Sequence, residues 1–218
     1  MFFPYRDDNP RILVPYVNYF LIALNVLVFL YQTGLGLTDP RLPRQFIHAY
    51  GLIPADFALA NIFTSMFIHG GLFHLIGNMW FLWIFGDNVE SAFGHWKYLI
   101  FYLLCGIGAA LTQVLVNASS PIPMVGASGA IAGVLGTYMV RYPHARVHVL
   151  IFIFIFITTI QVPAFYVLGF WFLVQLTNGL GTLGIDTTGG VAWFAHVGGF
   201  TMGVIFDQLY QRVRFERY

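Results

Sequence analysis

Ser128 lies in a stretch of small residues, Gly126-Ala127-Ser128-Gly129-Ala130-Ile131-Ala132-Gly133, just after a loop containing Pro121 and Pro123. A serine hydroxyl is a weak nucleophile until a base takes its proton. His196, far downstream, is the candidate base. The oxyanion that such an attack creates needs donors already in place. Asn78 offers a side-chain amide, His74 an imidazole N–H, and Ser128 its own backbone N–H near a helix start. Nucleophile, base and oxyanion donors together form an acyl-transfer set. No intramembrane Asp or Glu is available to orient His196, so the set reads as a dyad and not a triad. The competing reading is structural: small residues line packing surfaces of membrane helices, and buried His and Asn side chains bond between them. The presence of all four residues favours chemistry.

The elements that must position them are membrane helices. The chain has 218 residues, 58% of them hydrophobic and 18% aromatic, with only 9% charged. A soluble domain carries about 25% charged residues, and several apolar runs approach the roughly 20 residues needed to cross a bilayer. The expected fold is an all-α polytopic membrane protein, one domain over residues 1–218. A net charge of +1 argues against nucleic acid as a partner. The single cysteine, Cys105, excludes an intrachain disulfide and a Cys-based zinc site and reads as a small packing residue. Met1 to Pro10 carries charges of both signs and does not look like a cleaved signal peptide.

Six spans are expected, at about 16–31, 72–93, 98–116, 128–141, 164–178 and 191–210. The long connection 34–61, with prolines, Arg41 and Arg44, reads as partly helical and lying in the outer interface. Val147 to Ile160 nearly alternates and then meets Pro163, so it reads as a separate extended or interfacial segment, with Pro163 starting the fifth helix. Gly179 to Gly190, rich in Gly and Thr, reads as a mobile loop that gives water a way in. With the N-terminus inside, Arg6, Arg11, Lys97, Arg141, Arg146, Arg212, Arg214 and Arg217 are all cytoplasmic, and only Arg41 and Arg44 fall outside. Both termini are then cytoplasmic. The lack of a long cytoplasmic domain or a visible targeting peptide favours a prokaryotic cell membrane.

In this topology spans two, four and six all run from outside to inside. Ser128 precedes Arg141 by 13 residues, and His196 precedes Arg212 by 16; these separations are about 20 and 24 Å of helix. His74 and Asn78 precede Glu90 by 16 and 12 residues, about 24 and 18 Å. All four side chains therefore sit at one height in the outer part of the membrane, where polar groups are costly and usually functional or mutually paired. His74 and Asn78, four apart, share a helix face. Gly129 and Gly133 on the fourth span, and Gly199 and Gly203 on the sixth, form small-residue seams that let helices approach closely.

These motifs resemble the rhomboid family of intramembrane serine proteases. The resemblance rests on Gly-x-Ser-Gly at Gly126 to Gly129, Ala-His-x-x-Gly-x-x-x-Gly at Ala195 to Gly203, and His-x-x-x-Asn at His74 to Asn78. His69-Gly70-Gly71 and Gly86-Asp87-Asn88-Val89-Glu90 also look like the family. It covers the chain from the first span to the sixth and implies a six-helix rhomboid-like bundle. The implied activity is hydrolysis of a peptide bond in or beside a transmembrane segment of a substrate protein. By the same resemblance Ser128 attacks, His196 acts as base and then acid, and His74 and Asn78 help bind the oxyanion. No metal or organic cofactor is implied, and the partners are transmembrane substrates and the lipid bilayer. The fifth span and the loop after it resemble the family's gate and cap. Preferred substrates would have a small residue before the cut and a helix that unwinds easily.

Two departures stand out. No Trp-Arg pair occurs in 34–61, and Ala132 stands where some members have a tyrosine stacked on the histidine, so another residue must orient His196. Among the remaining polar residues, His69 and Glu90 read as structural, and His95, His144 and His148 as solvated near the cytoplasmic face. The aromatic run Trp80, Phe81, Trp83, Phe85 reads as lipid-facing or packed core, and Phe154 and Phe156 as touching lipid or a partner. Two rival functions are a non-cutting relative, which would lack the serine or the histidine, and a small transporter, which would carry inverted repeats or midplane charges. The sequence has the serine and the histidine, and neither of the transporter's marks.

Overall fold

In the computed structural model, residues 2–153, 156–183 and 190–215 are described. Eight helices are present among them: α1 (Tyr16–Gly34), α2 (Leu42–Tyr50), α3 (Leu59–Thr64), α4 (Leu72–Phe93), α5 (His95–Val116), α6 (Ser128–Arg141), α7 (Ala164–Gly181) and α8 (Trp193–Phe215). Tyr16–Leu37, α5 and α7 are each long and apolar enough to cross a membrane, and α4 makes a fourth if it is joined to Leu59–Phe67 across an 87° bend. The protein is thus an integral, multi-helical membrane protein.

Helix α6 is the centre of the bundle. Every residue from Gly129 to Tyr138 is buried, which a helix this poor in side-chain bulk allows only if its neighbours come close. They do so at the glycines. A Cβ at Gly199 would lie 1.9 Å from the Gly129 carbonyl oxygen, and one at Gly203 would lie 2.0 Å from that of Gly133. The backbones of α6 and α8 are therefore in contact along the two seams. At the other end of the pair the Arg141 Nε donates to Asp207 Oδ1 at 2.7 Å, and Asp207 is fully buried. Removal of one partner would leave a buried charge uncompensated.

Helix α1 is fixed by a carboxylate on α4. Glu90, fully buried, accepts from the backbone N–H of Val17 at 3.0 Å and of Asn18 at 2.7 Å. An acidic side chain at a helix N-terminus satisfies donors that have no partner within the helix. Glu90 is structural in this sense. His95 Nδ1 lies 2.5 Å from Glu90 Oε1, so this histidine is a member of that cluster and not simply solvated. The aromatic run divides: Phe85 is buried against Tyr138, Trp83 faces outward against Tyr19, and Trp80 Nε1 donates to the Pro4 carbonyl at 2.7 Å.

The helical bundle carries one addition that the all-α expectation omits. Strands β1 (Phe2–Asp7), β2 (Arg146–Ile153) and β3 (Phe156–Pro163) form an antiparallel sheet with β2 in the middle. The alternation read at 147–160 is that of strands, with Val147, His148 and Val149 buried. His148 Nε2 lies 2.7 Å from Asp8 Oδ1, which corrects its expected solvation. Residues 154 and 155, and 184–189, lie outside the described residues, as do the surface expected for Phe154 and half of the mobile loop expected over 179–190. Pro163 does cap α7, because its fixed φ suits a helix start and it has no N–H to leave unpaired. The 34–61 connection is partly helical through α2 and α3.

β1 is latched to α6 through Asp7, which pairs with the Tyr138 hydroxyl. Burial pushes the Asp7 carboxyl up from 3.8 to about 6, against the opposing pull of the Tyr138 hydrogen bond. Folding therefore favours protonated Asp7. Its contribution is complete below pH 3.8 and is lost as pH rises through about 6. Amide protection factors in β1 are expected to fall across that window in the wild-type protein and to stay level in Asp7→Asn. A flat wild-type profile would mean that burial does not raise the Asp7 carboxyl in the folded protein.

Candidate active site

Ser128 is the first residue of α6, and the loop before it is held by local geometry. Gly126 has φ +123°, a conformation that favours glycine, and its N–H donates to the Ser65 carbonyl at 2.9 Å. A Cβ at Gly126 would lie 2.8 Å from His74 Nε2 and 3.5 Å from Asn78 Nδ2. The missing side chain is what lets both of these α4 residues reach the segment carrying Ser128. His196, in the first turns of α8, is buried and reaches across to α6, where its Nε2 lies 2.8 Å from Ser128 Oγ. All four residues, with Gly126 and Trp171, line one cavity of about 660 Å³. The structure thus brings together every site residue read from the sequence.

Hydrogen bonds assign the ring protons. Gly70 N–H donates to His74 Nδ1 at 3.4 Å, so neutral His74 carries its proton on Nε2, beside Gly126. Asn78 is buried with no partner for Nδ2. A buried donor without a partner is costly; here it lies against the Gly126 loop. Gln175 on α7 holds the other side of the His196 ring. Its Nε2 donates to the Trp171 carbonyl at 3.1 Å, which turns Oε1 toward His196 Nδ1 at 2.8 Å. The acceptor oxygen requires Nδ1 to be protonated, leaving the Nε2 lone pair for the Ser128 hydroxyl. The Nδ1 partner is an amide and not a carboxylate.

Ala132 is fully buried beneath this site, and the ring of His196 is flanked by tryptophans. Trp171 lies 5.7 Å away and Trp193 6.4 Å, the latter edge-on at 90°. Gln113 on α5 accepts from the Ala195 N–H at 3.1 Å and so fixes the start of α8. His69 is buried against His74, 5.1 Å between ring centroids, and its carbonyl accepts from Gln32 Nε2 at 2.7 Å. Sequence reasoning missed all three glutamines. The signal available was an uncharged amide within an apolar helix, a costly placement, but their partners lie 21, 82 and 37 residues away. Among the described residues no group of three or more His, Cys, Asp or Glu could hold a metal ion.

Comparison with known proteins places this geometry in context. Residues 56–212 match the Rhomboid domain family model. The chain is 30% identical over 213 residues to Rhomboid protein 1, mitochondrial, of Saccharomyces cerevisiae, covering 94% of this chain and 55% of that protein. It is 32% identical over 126 residues to Rhomboid protease GluP of Bacillus subtilis, covering 57% and 24% respectively. It is 32% identical over 134 residues to the human Presenilin-associated rhomboid-like protein, mitochondrial, covering 60% and 34%. The chain thus spans between about a quarter and about half the length of these relatives. The matched region contains His74, Asn78, Ser128 and His196, the residues that meet at the cavity. This chain therefore belongs to the rhomboid family.

Proposed function

We propose that this protein is an intramembrane serine endopeptidase that hydrolyses a peptide bond in or next to a transmembrane segment of a substrate membrane protein. The observation that carries the reading is the 2.8 Å approach of Ser128 Oγ to His196 Nε2 within the cavity. Ser128 Oγ attacks the scissile carbonyl carbon while its proton passes to His196 Nε2. The carbonyl oxygen becomes an oxyanion held by Asn78 Nδ2, the His74 Nε2–H and the Ser128 backbone N–H. His196 then gives the proton to the departing amine, and water, activated by the same nitrogen, releases the acyl group from Ser128.

The site suits a substrate whose backbone has left its helix, since a helix keeps the carbonyl hydrogen-bonded. Six crossings, by α1, α4, α5, α6, α7 and α8, within one domain over residues 1–218, fit the charge distribution with both termini cytoplasmic. α6, α4 and α8 then present the site toward the outer face, and α2 lies in the outer interface.

The test is cleavage of a single-span model substrate in liposomes, read on a gel. The wild-type protein is expected to cut and Ser128→Ala not to cut; equal cutting by both would refute serine hydrolysis. Asn78→Ala is expected to lower kcat by about 10²–10³-fold, the usual effect of removing one oxyanion donor. Thermal unfolding of that variant should be near wild type. A kcat left intact would move Asn78 out of the oxyanion hole.

A further inference from the structure

Among the described residues, the side chain of Gln175 makes the one hydrogen bond that crosses from α7 to a side chain of α8. The neighbouring Thr177 and Asn178 bond only to carbonyls of their own helix. Gln175 is buried, and both ends of its amide are used: the nitrogen on Trp171 O, the oxygen on His196 Nδ1. The Trp171 ring beside His196 belongs to the same turn of α7. An amide anchored at its nitrogen cannot flip without losing two buried hydrogen bonds.

The rest of α7 is seated so that this bond is held. At its inner end Ala164 N–H donates to the Ala145 carbonyl at 2.8 Å and Phe165 N–H to Pro143 at 3.1 Å. In its middle Phe172 stacks on Phe200 of α8 with 4.4 Å between centroids. Near its outer end Gly179 lies against Trp193 and Phe194, where a Cβ would come within 3.3 Å of both.

We propose that Gln175 is the positioning residue of His196, holding it in the Nδ1–H tautomer with Nε2 directed at Ser128. This rests on the dyad reading above and adds a third member that touches no substrate. It answers what orients the base when Ala132 offers no ring and no acid is at hand. Because the bond runs from α7 to α8, the base is set only while α7 is seated on α8.

The experiment uses the intact protein in liposomes and reads the rate at which a fluorophosphonate labels Ser128, beside kcat and KM for a single-span substrate. Gln175→Met keeps length and loses the acceptor. Its labelling rate and kcat are expected to fall together by about 10–100-fold with KM unchanged, the scale typical of groups that orient a functional histidine. Gln175→Glu restores an acceptor and should recover most of the labelling. Its carboxylate also favours the imidazolium, so the acid limb of the labelling rate should move up by about 1 pH unit or more. A wild-type labelling rate in Gln175→Met, or a change confined to KM, would overturn the proposal. Should Gln175→Met fail to fold, the Gln175→Glu profile decides, and an acid limb that coincides with wild type refutes it. Ser128→Ala and His196→Ala separate the two levels of inference. If both are inert while Gln175 variants label normally, only the positioning role fails; if they label and cut like wild type, the dyad fails with it.

Discussion

Ser128→Ala, His196→Ala and the double variant are expected to fall to one common floor, roughly 10⁶-fold below the wild-type rate of substrate cleavage. In the proposed mechanism the two residues act as a unit. Without Ser128 the base has no proton to take, and without His196 the hydroxyl 2.8 Å away keeps its proton and attacks poorly. Removing the second residue after the first therefore costs almost nothing more. In that reading, what remains above the uncatalysed rate comes from Asn78, His74, the Ser128 backbone N–H and the bound substrate, and it should fall further when Asn78→Ala is added. The measurement is single-turnover cleavage with purified variants at high enzyme concentration. A double variant much slower than either single one would mean that the residues contribute independently, and the dyad would be the wrong description.

Gly199→Val is the second large effect, and it is mechanical. The added Cβ would stand 1.9 Å from the Gly129 carbonyl oxygen, a backbone atom that no rotamer change can move. Overpacking of a filled core costs about 1–3 kcal/mol and occasionally more; a backbone-to-backbone collision belongs at the upper end. The helices must separate, and the separation falls where function is most sensitive. Gly129 directly follows Ser128, and Gly199 is three residues beyond His196. The variant should lose both thermal stability and fluorophosphonate labelling. Gly34→Ala is the control, since a Cβ there meets nothing within 4 Å and φ is −59°. It should unfold at or slightly above the wild-type temperature. Wild-type stability and labelling in Gly199→Val would show that α6 and α8 do not pack through this seam.

The contrast between those two variants and the Gln175 series marks the boundary of what the chain reveals when read alone. Ser128, His196, His74 and Asn78 stood out because polar side chains among apolar residues are expensive in a membrane, and because the directions of three spans put them at one depth. Spacing along a helix carries that information: His74 and Asn78 share a face whatever surrounds them. The glycine seams were legible for the same reason, since four-residue spacing defines a stripe. Length and apolarity mark α1, α5 and α7, and Pro163 marks the start of α7.

Which residues meet across helices depends on how each helix is rotated and tilted against its neighbours. That is decided by the packing of side chains from the entire bundle and not by any local pattern. Gln175 and His196, 21 residues apart, become partners only when α7 settles on α8. The buried Glu90, read as a helix-end residue, turns out to hold the N-terminus of α1, 72 residues upstream. β1 pairs with β2, Pro4 opposite Val149, although α1 to α6 lie between them in the chain. Residue type and spacing single out Ser128, His196, His74 and Asn78 as the candidate reacting groups and point to the helices that bear them. The tertiary structure alone decided the tautomer of the base, because a proton's place on an imidazole is set by the hydrogen-bond partner that other segments bring to it.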